Sequence, residues 1–287
     1  VSRVWIADPL ASDGAQIVER DEEPGGPAQN LLTPQPTETW TVVPGPDREA
    51  RVVFDLGAAT PVRLAFLGYT NATATTQWRI RASDLVDGFD ATSFWADGST
   101  WGDASTWAGG FNSGFVDVWP TTGLGTWDRV HGFLKIDPIQ TFRFWELTIQ
   151  VAPGEEDSVF TAGRLYLGDP WEPPINMTPG ASIGFNDASL VRRTPFGRLH
   201  TGTRGQWRRM VFVLQNSDED LLFTETARLD RLRGTSRDVL VVKDIDRPSL
   251  LMEQSVYGVF GELDPVVIPE PANVFVRRFQ IQEWERP

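Results

Sequence analysis

Between Thr76 and Ser83 the chain reads TQWRIRAS, with Trp78, Ile80 and Ala82 alternating against Gln77, Arg79 and Arg81. A period of two puts the apolar set on one face of a strand and the polar set on the other. The same texture recurs in ARVVFDLG (50–57), PVRLAFLGY (61–69), RVHGFLKI (129–136), FRFWELTIQV (142–151) and FTAGRLYLG (160–168). Turn-rich connections separate these runs, and up to residue 168 no segment shows a helical period. Gly (26) and Pro (21) together make about a sixth of the chain, as expected of many short strands joined by turns. The pattern predicts an antiparallel β-sandwich or jelly roll.

Beyond a Pro-rich connector, GDPWEPPINMTPG (168–180), the texture changes. ASIGFND (181–187), WRRMVFVLQN (207–216), RDVLVVKDID (237–246), YGVFGEL (257–263) and NVFVRRFQIQEWE (273–285) read as strands. One helix is predicted at about 217–233. Ser217 stands at its N-cap with acids in the first turn, and Leu221, Leu222, Thr226, Leu229 and Leu232 approximate one face. Basic residues cluster late and Gly234 ends it. The organisation read from the chain is an irregular, Pro/Gly-rich lead-in at 1–49, a sandwich at 50–169 and a β-rich part with the helix at 170–287. The opening VSRVWIA can add a strand to the last part, which would make the sandwich an insertion.

Charge divides the chain near the same place. Residues 1–163 hold 10 basic and 22 acidic side chains, against 16 and 17 in residues 164–287. An acidic first part repels phosphate backbones, so no nucleic-acid partner is expected. No apolar run approaches the length of a membrane span, and the N-terminus shows no signal-peptide core. With no Cys there is no disulfide, thiol nucleophile or thiolate metal site.

Four of the twelve tryptophans fall in FWADGSTWGDASTWAGGFNSGFVDVW (94–119). Trp95, Trp101, Trp107 and Trp119, with Asp97, Asp103 and Asn112, have the chemistry of a glycan site: rings stack on sugar faces while carboxylates and amides take hydroxyls. The competing reading, weighted more heavily, is that the rings pack a Gly-rich insertion or fill a subunit interface. Asp84, Asp87 and Asp90 in SDLVDGFDATS are oxygen donors that could hold a structural calcium, although their spacing is not that of an EF-hand and a solvated acidic turn is the preferred reading. No other cofactor is expected. His131 and His200, the only histidines, lie in different halves and are read as structural or surface residues. No nucleophile elbow, phosphate loop or zinc-protease helix is present, so no catalytic residues are assigned and no enzyme activity is expected.

Taken together, the stretches 50–83 and 142–169 resemble the discoidin, or coagulation-factor type C, family. The residues that carry the likeness are Asp55, Leu56 and Gly57 closing a strand, Arg143-Phe-Trp-Glu-Leu, Gly163-Arg-Leu, and the preceding NLLTPQPTETW (30–40). The Cys pair usual in extracellular members is absent. The second part resembles the C-terminal region of tail proteins of long-tailed, non-contractile phages and gene transfer agents, through the strand–helix–strand 207–244, SVYGVFGEL (255–263) and RRFQIQEWE. The resemblance implies a mainly β fold: a discoidin-like, galactose-binding-like sandwich plus a β-rich tail-protein domain with one helix. It further implies a distal or minor tail protein at the virion tail tip, assembled in the bacterial cytoplasm. Its expected partners are copies of itself in a ring, tail tube and hub proteins, and host-surface glycan, without membrane insertion. A stand-alone bacterial carbohydrate-binding module is the main rival, and a glycosidase or depolymerase the second.

Overall fold

The computed structural model describes residues 3–86, 110–119, 127–193, 196–202, 204–216, 219–267 and 275–284. It is mainly β, as the alternation predicts. Contacts divide the chain into two compact units. One comprises Pro9–Asp169 with Pro248–Met252, and the other Val1–Asp8, Pro170–Arg247 and Glu253–Pro287. The first strand, β1 (Trp5–Ala7), belongs to the second unit and pairs there with a strand more than 200 residues later.

The first unit holds a curled seven-stranded antiparallel sheet and a separate two-stranded one, formed by Trp40–Val42 and Phe160–Ala162. Its strands are β2 (Gln16–Arg20), β3 (Trp40–Val42), β4 (Glu49–Thr70), β5 (Gln77–Ser83), β6 (Phe111–Asn112), β7 (Val116–Asp117), β8 (Val130–Gln150), β9 (Phe160–Ala162) and β10 (Arg164–Gly168). Two long strands organise it. β4 and β8 pair along most of their length, with breaks in register between Asp55 and Thr60 and between Val62 and Leu64. At these corners each strand passes from one layer to the other. The 50–57 and 61–69 segments, read as separate strands, are therefore one bent strand, as are 129–136 and 142–151. Gly57 serves the first corner with φ +79, a conformation that disfavours a Cβ, and its N–H donates to Asp55 Oδ1 at 2.7 Å. The early half of β4 lies between β2 and the late half of β8, while its late half pairs with β10. The two layers enclose one apolar cluster that includes Trp40, Val52, Phe54, Trp78, Ile80, Trp145, Leu147 and Leu165.

The 1–49 stretch, expected as irregular, holds three short strands. From it Ala28, Leu31, Leu32 and Trp40 enter the core, and Trp40 Nε1 donates to Asp21 O at 2.7 Å. On the outer side of the second layer, Phe66, Tyr69, Phe133 and His131 form an aromatic group. His131 is buried there, its Nδ1 accepting from Tyr69 N at 3.0 Å, which is a structural role.

The second unit holds a six-stranded antiparallel sheet in the order β1, Asp238–Val242, Ser255–Glu262, Phe275–Glu283, Gln206–Asn216, Ser182–Asp187, and a separate two-stranded sheet. Its remaining strands are β11 (Ser182–Asp187), β12 (Leu190–Arg193), β13 (Leu199–Gly202), β14 (Gln206–Asn216), β15 (Asp238–Val242), β16 (Ser255–Glu262) and β17 (Phe275–Glu283). The described helix, Glu219–Arg233, falls within the predicted span, and the expected N-cap Ser217 lies outside the described residues. Leu229 and Thr226 are buried, as the predicted face requires, and Gly234 closes the helix with φ +53. Charge as well as apolar contact holds the helix. Asp230 accepts two bonds from Arg277 of β17, at 2.7 and 2.6 Å, and Arg228 pairs with Asp8. Among the described residues no helix is long and apolar enough to cross a membrane.

Candidate functional site

β5 lies at one side of the first layer, and two short strands return beside it. Ala82 pairs with Phe111, and Trp78 with Val116. The Trp-bearing excursion therefore leaves the edge after Ser83 and re-enters it opposite Ala82, its two ends about 4.8 Å apart, the spacing of neighbouring strands. It is an insertion within a single hairpin. Trp95, Trp101, Trp107, Asp97, Asp103, Asp87 and Asp90 lie outside the described residues; its roots are described. Val86 packs on Val53 and Phe144, and Ser83 Oγ accepts from Leu85 N at 3.1 Å. On the returning side Phe111 joins the core beside Trp145, with ring centroids 6.3 Å apart.

Three of the candidates, Asn112, Trp119 and Asp84, lie among the described residues. Asn112 turns its Oδ1 back to Gly114 N at 2.9 Å, an Asx turn that shapes the bulge between β6 and β7. Trp119 is half-buried, its Nε1 donating to Ala72 O at 2.7 Å while its ring packs against Val130 and Met252. Its polar atom is therefore already bound within the protein. Asp84 is exposed, and among the described residues no group of three or more His, Asp or Glu is arranged to hold a metal ion.

The outer face of β4, β8 and β5 at the base of this insertion was not singled out from the sequence. The alternation that buries Trp78 and Ile80 turns Arg79 and Arg81 outward, opposite Thr148 and Glu146. Glu146 is fully buried. Arg81 grips it through Nε and Nη2 at 2.7 and 2.6 Å, and Thr148 Oγ1 donates to it at 2.8 Å. Arg51 stands 3.8 Å away and also bonds Glu19 at 2.7 Å. Arg79 lies 4.4 Å from the ring centroid of Phe115, a cation–π contact. Burial holds the Arg79 guanidinium below its ordinary pKa, and repulsion from Arg81 adds to this; Glu146 and Glu49 oppose it. Three guanidiniums thus share a few carboxylates on this face. One signal was legible: Glu146, Thr148 and Gln150 alternate with Trp145, Leu147 and Ile149 and so fall on one face.

At the nearby corner, Arg143 clasps Asp55 at 2.8 and 2.7 Å. These bonds hold the Asp55 carboxyl below its ordinary pKa, against a smaller opposing effect of burial.

No protein-family model matches the chain, and no curated protein is found to match it. Among solved structures, one that superposes is a chitosan-binding module from a chitosanase/glucanase of Paenibacillus sp. IK-5. It is 16% identical, with 57% of this chain and 100% of that one covered and a TM-score of 0.37. A CBM32 module produced by Clostridium perfringens is 12% identical over 56% of this chain and 95% of its own, with a TM-score of 0.32. A Ruminococcus gnavus GH29 fucosidase is 14% identical over 58% of this chain, which spans only 28% of the enzyme, with a TM-score of 0.37.

Proposed function

We propose that this chain is a non-enzymatic structural component of a phage-like tail tip, in which the sandwich is a displayed module and the second unit carries the assembly contacts. The observation that best supports this reading is the chain order. β1 opens the sheet of the second unit, the chain then builds the sandwich, and β11 with β14 to β17 completes the sheet it left. A module inserted in this way is tied to its carrier at both ends, which suits a part displayed from an assembly. The resemblance of 207–285 to tail proteins supplies the particular assembly. A structural calcium near Asp84 remains part of the proposal only as an accessory, since no step depends on it.

The test is mass spectrometry of particles purified from the source culture. The reading expects peptides of this chain in the tail fraction at low copy number. A chain abundant in the cell envelope and missing from particles overturns it.

A second reading, glycan contact by the sandwich, is favoured by one feature: a tryptophan-bearing insertion rooted beside the Arg51–Arg79–Arg81–Glu146 face. Binding on a glycan array, lost on Trp101→Ala and Trp107→Ala, is its expected result. The two readings are compatible, because many weak sites on one particle bind by avidity.

A further inference from the structure

β11 and β14 pair antiparallel as far as Asp187 and Gln206, and the chain between them continues as a second hairpin, β12 with β13. Its root is fixed. Asp187 Oδ1 accepts from Ser189 N at 2.7 Å, its Oδ2 accepts from Gln206 Nε2 at 2.9 Å, and Ser189 Oγ accepts from Arg204 N at 3.0 Å. Beyond the root the two strands form a sheet of their own, and every described residue from Leu190 to Gly202 is exposed. Several of these are large and apolar: Val191 is 63% exposed, Leu199 60% and Phe196 95%, and Phe185 on the adjoining edge strand is 62% exposed. An isolated two-stranded hairpin is marginal in water, and grouped exposed apolar side chains mark an interaction surface. Fifteen of the described residues between 182 and 202 are exposed, somewhat fewer than the roughly 20–30 on one side of a standard protein interface.

Charge selects the occupant. The arm carries Arg192, Arg193, Arg198 and His200 against the single acid Asp187, while the whole chain has a formal charge of −13 and its first 163 residues hold 22 acids to 10 bases. Two arms repel each other, and an arm and the acidic part of another copy attract. We infer that the 182–202 arm docks on the acidic region of a second copy of this chain. Such a contact joins two different surfaces, so it propagates head to tail and closes into a ring or runs on as a filament. The inference rests on the reading of the second unit as the assembly part.

Sedimentation velocity of the purified full chain, over a wide concentration range at low and high salt, tests it. The wild type is expected to associate, less so at high salt. Val191→Asp with Leu199→Asp weakens association at least about thirtyfold, as loss of a contact at the centre of an interface does. Arg192→Glu with Arg193→Glu weakens it too and removes the salt dependence. All four side chains are exposed in the single chain, so circular dichroism and thermal unfolding stay unchanged. A wild type that remains monomeric throughout overturns the inference, as do variants that associate like the wild type. A monomer that instead binds an oligonucleotide through the same arginines overturns it in favour of a nucleic-acid arm. None of these outcomes depends on whether the chain is found in particles, so the inference can fail while the tail reading stands, or the reverse.

Discussion

Replacing Glu146 by Leu tests the account of the polar face. The carboxylate is fully buried and accepts three hydrogen bonds of 2.6 to 2.8 Å, two from Arg81 and one from Thr148. Without it, the Arg81 side chain, only 12% exposed, loses the carboxylate that accepts two of its hydrogen bonds, beside an Arg79 whose charge is already disfavoured. Breaking a buried pair by removing one partner costs about 3–5 kcal/mol. Replacing both partners by apolar groups is often neutral, so Arg81→Leu added to Glu146→Leu should recover most of the loss. Because the chain has two units, a single unfolding curve mixes them. Hydrogen exchange read on peptides from β4, β5 and β8 reports the sandwich alone. Glu146→Leu should accelerate the slowest amides there by roughly two to four orders of magnitude, at 1.36 kcal/mol per decade. Acceleration below tenfold, or a double variant no better than the single, would refute the reasoning.

Three further predictions concern other parts of the fold. The folded-state pKa of Asp55 lies below its ordinary 3.8, so its contribution is full above that value and is lost as pH falls through the lowered pKa. Asp55→Asn should therefore be less stable than wild type near neutrality and converge with it in acid, read at each pH by hydrogen exchange on peptides from β4 and β8; a gap that persists in acid contradicts the assignment. A Cβ at Gly258 of β16 would strike the carbonyl of Gln282 on the paired strand, so Gly258→Ala should cost about 1–3 kcal/mol or more in the second unit, read by exchange on β16 and β17. Trp119→Phe removes the bond to Ala72 O and should cost the sandwich about 1 kcal/mol. An unchanged stability would mean that the indole does not anchor its segment.

Local alternation made most strands legible, and what it missed depended on distant partners. TQWRIRAS becomes β5 with the predicted residues buried, because a half-buried strand states its faces in its own sequence. The corners of β4 and β8 were hidden. Gly57 reads as closing a strand, yet the chain bends there and the same strand continues its pairing beyond it. Likewise β2 and β3 offer too few residues to announce themselves; β2 is defined by its register against β4 and β3 by its pairing with β9. The polar face needed Glu146 to meet Arg81, 65 residues away. The β12–β13 arm carries no inward alternation, since both of its faces are exposed and neither had a core to encode. For the tryptophan question, Trp119 answers as a packing residue, and the insertion that holds the other three is located by its roots at Ala82 and Phe111.

The central claim is that this chain is built into the tip of a tail, and its position is the quantity to measure. Antibody raised to residues 9–169, labelled with gold and viewed with particles from the source culture by negative-stain electron microscopy, reads that position directly. The account predicts gold confined to one end of the tail. Gold along the whole tail, on cell surfaces, or absent from particles that carry every other tail protein would contradict it.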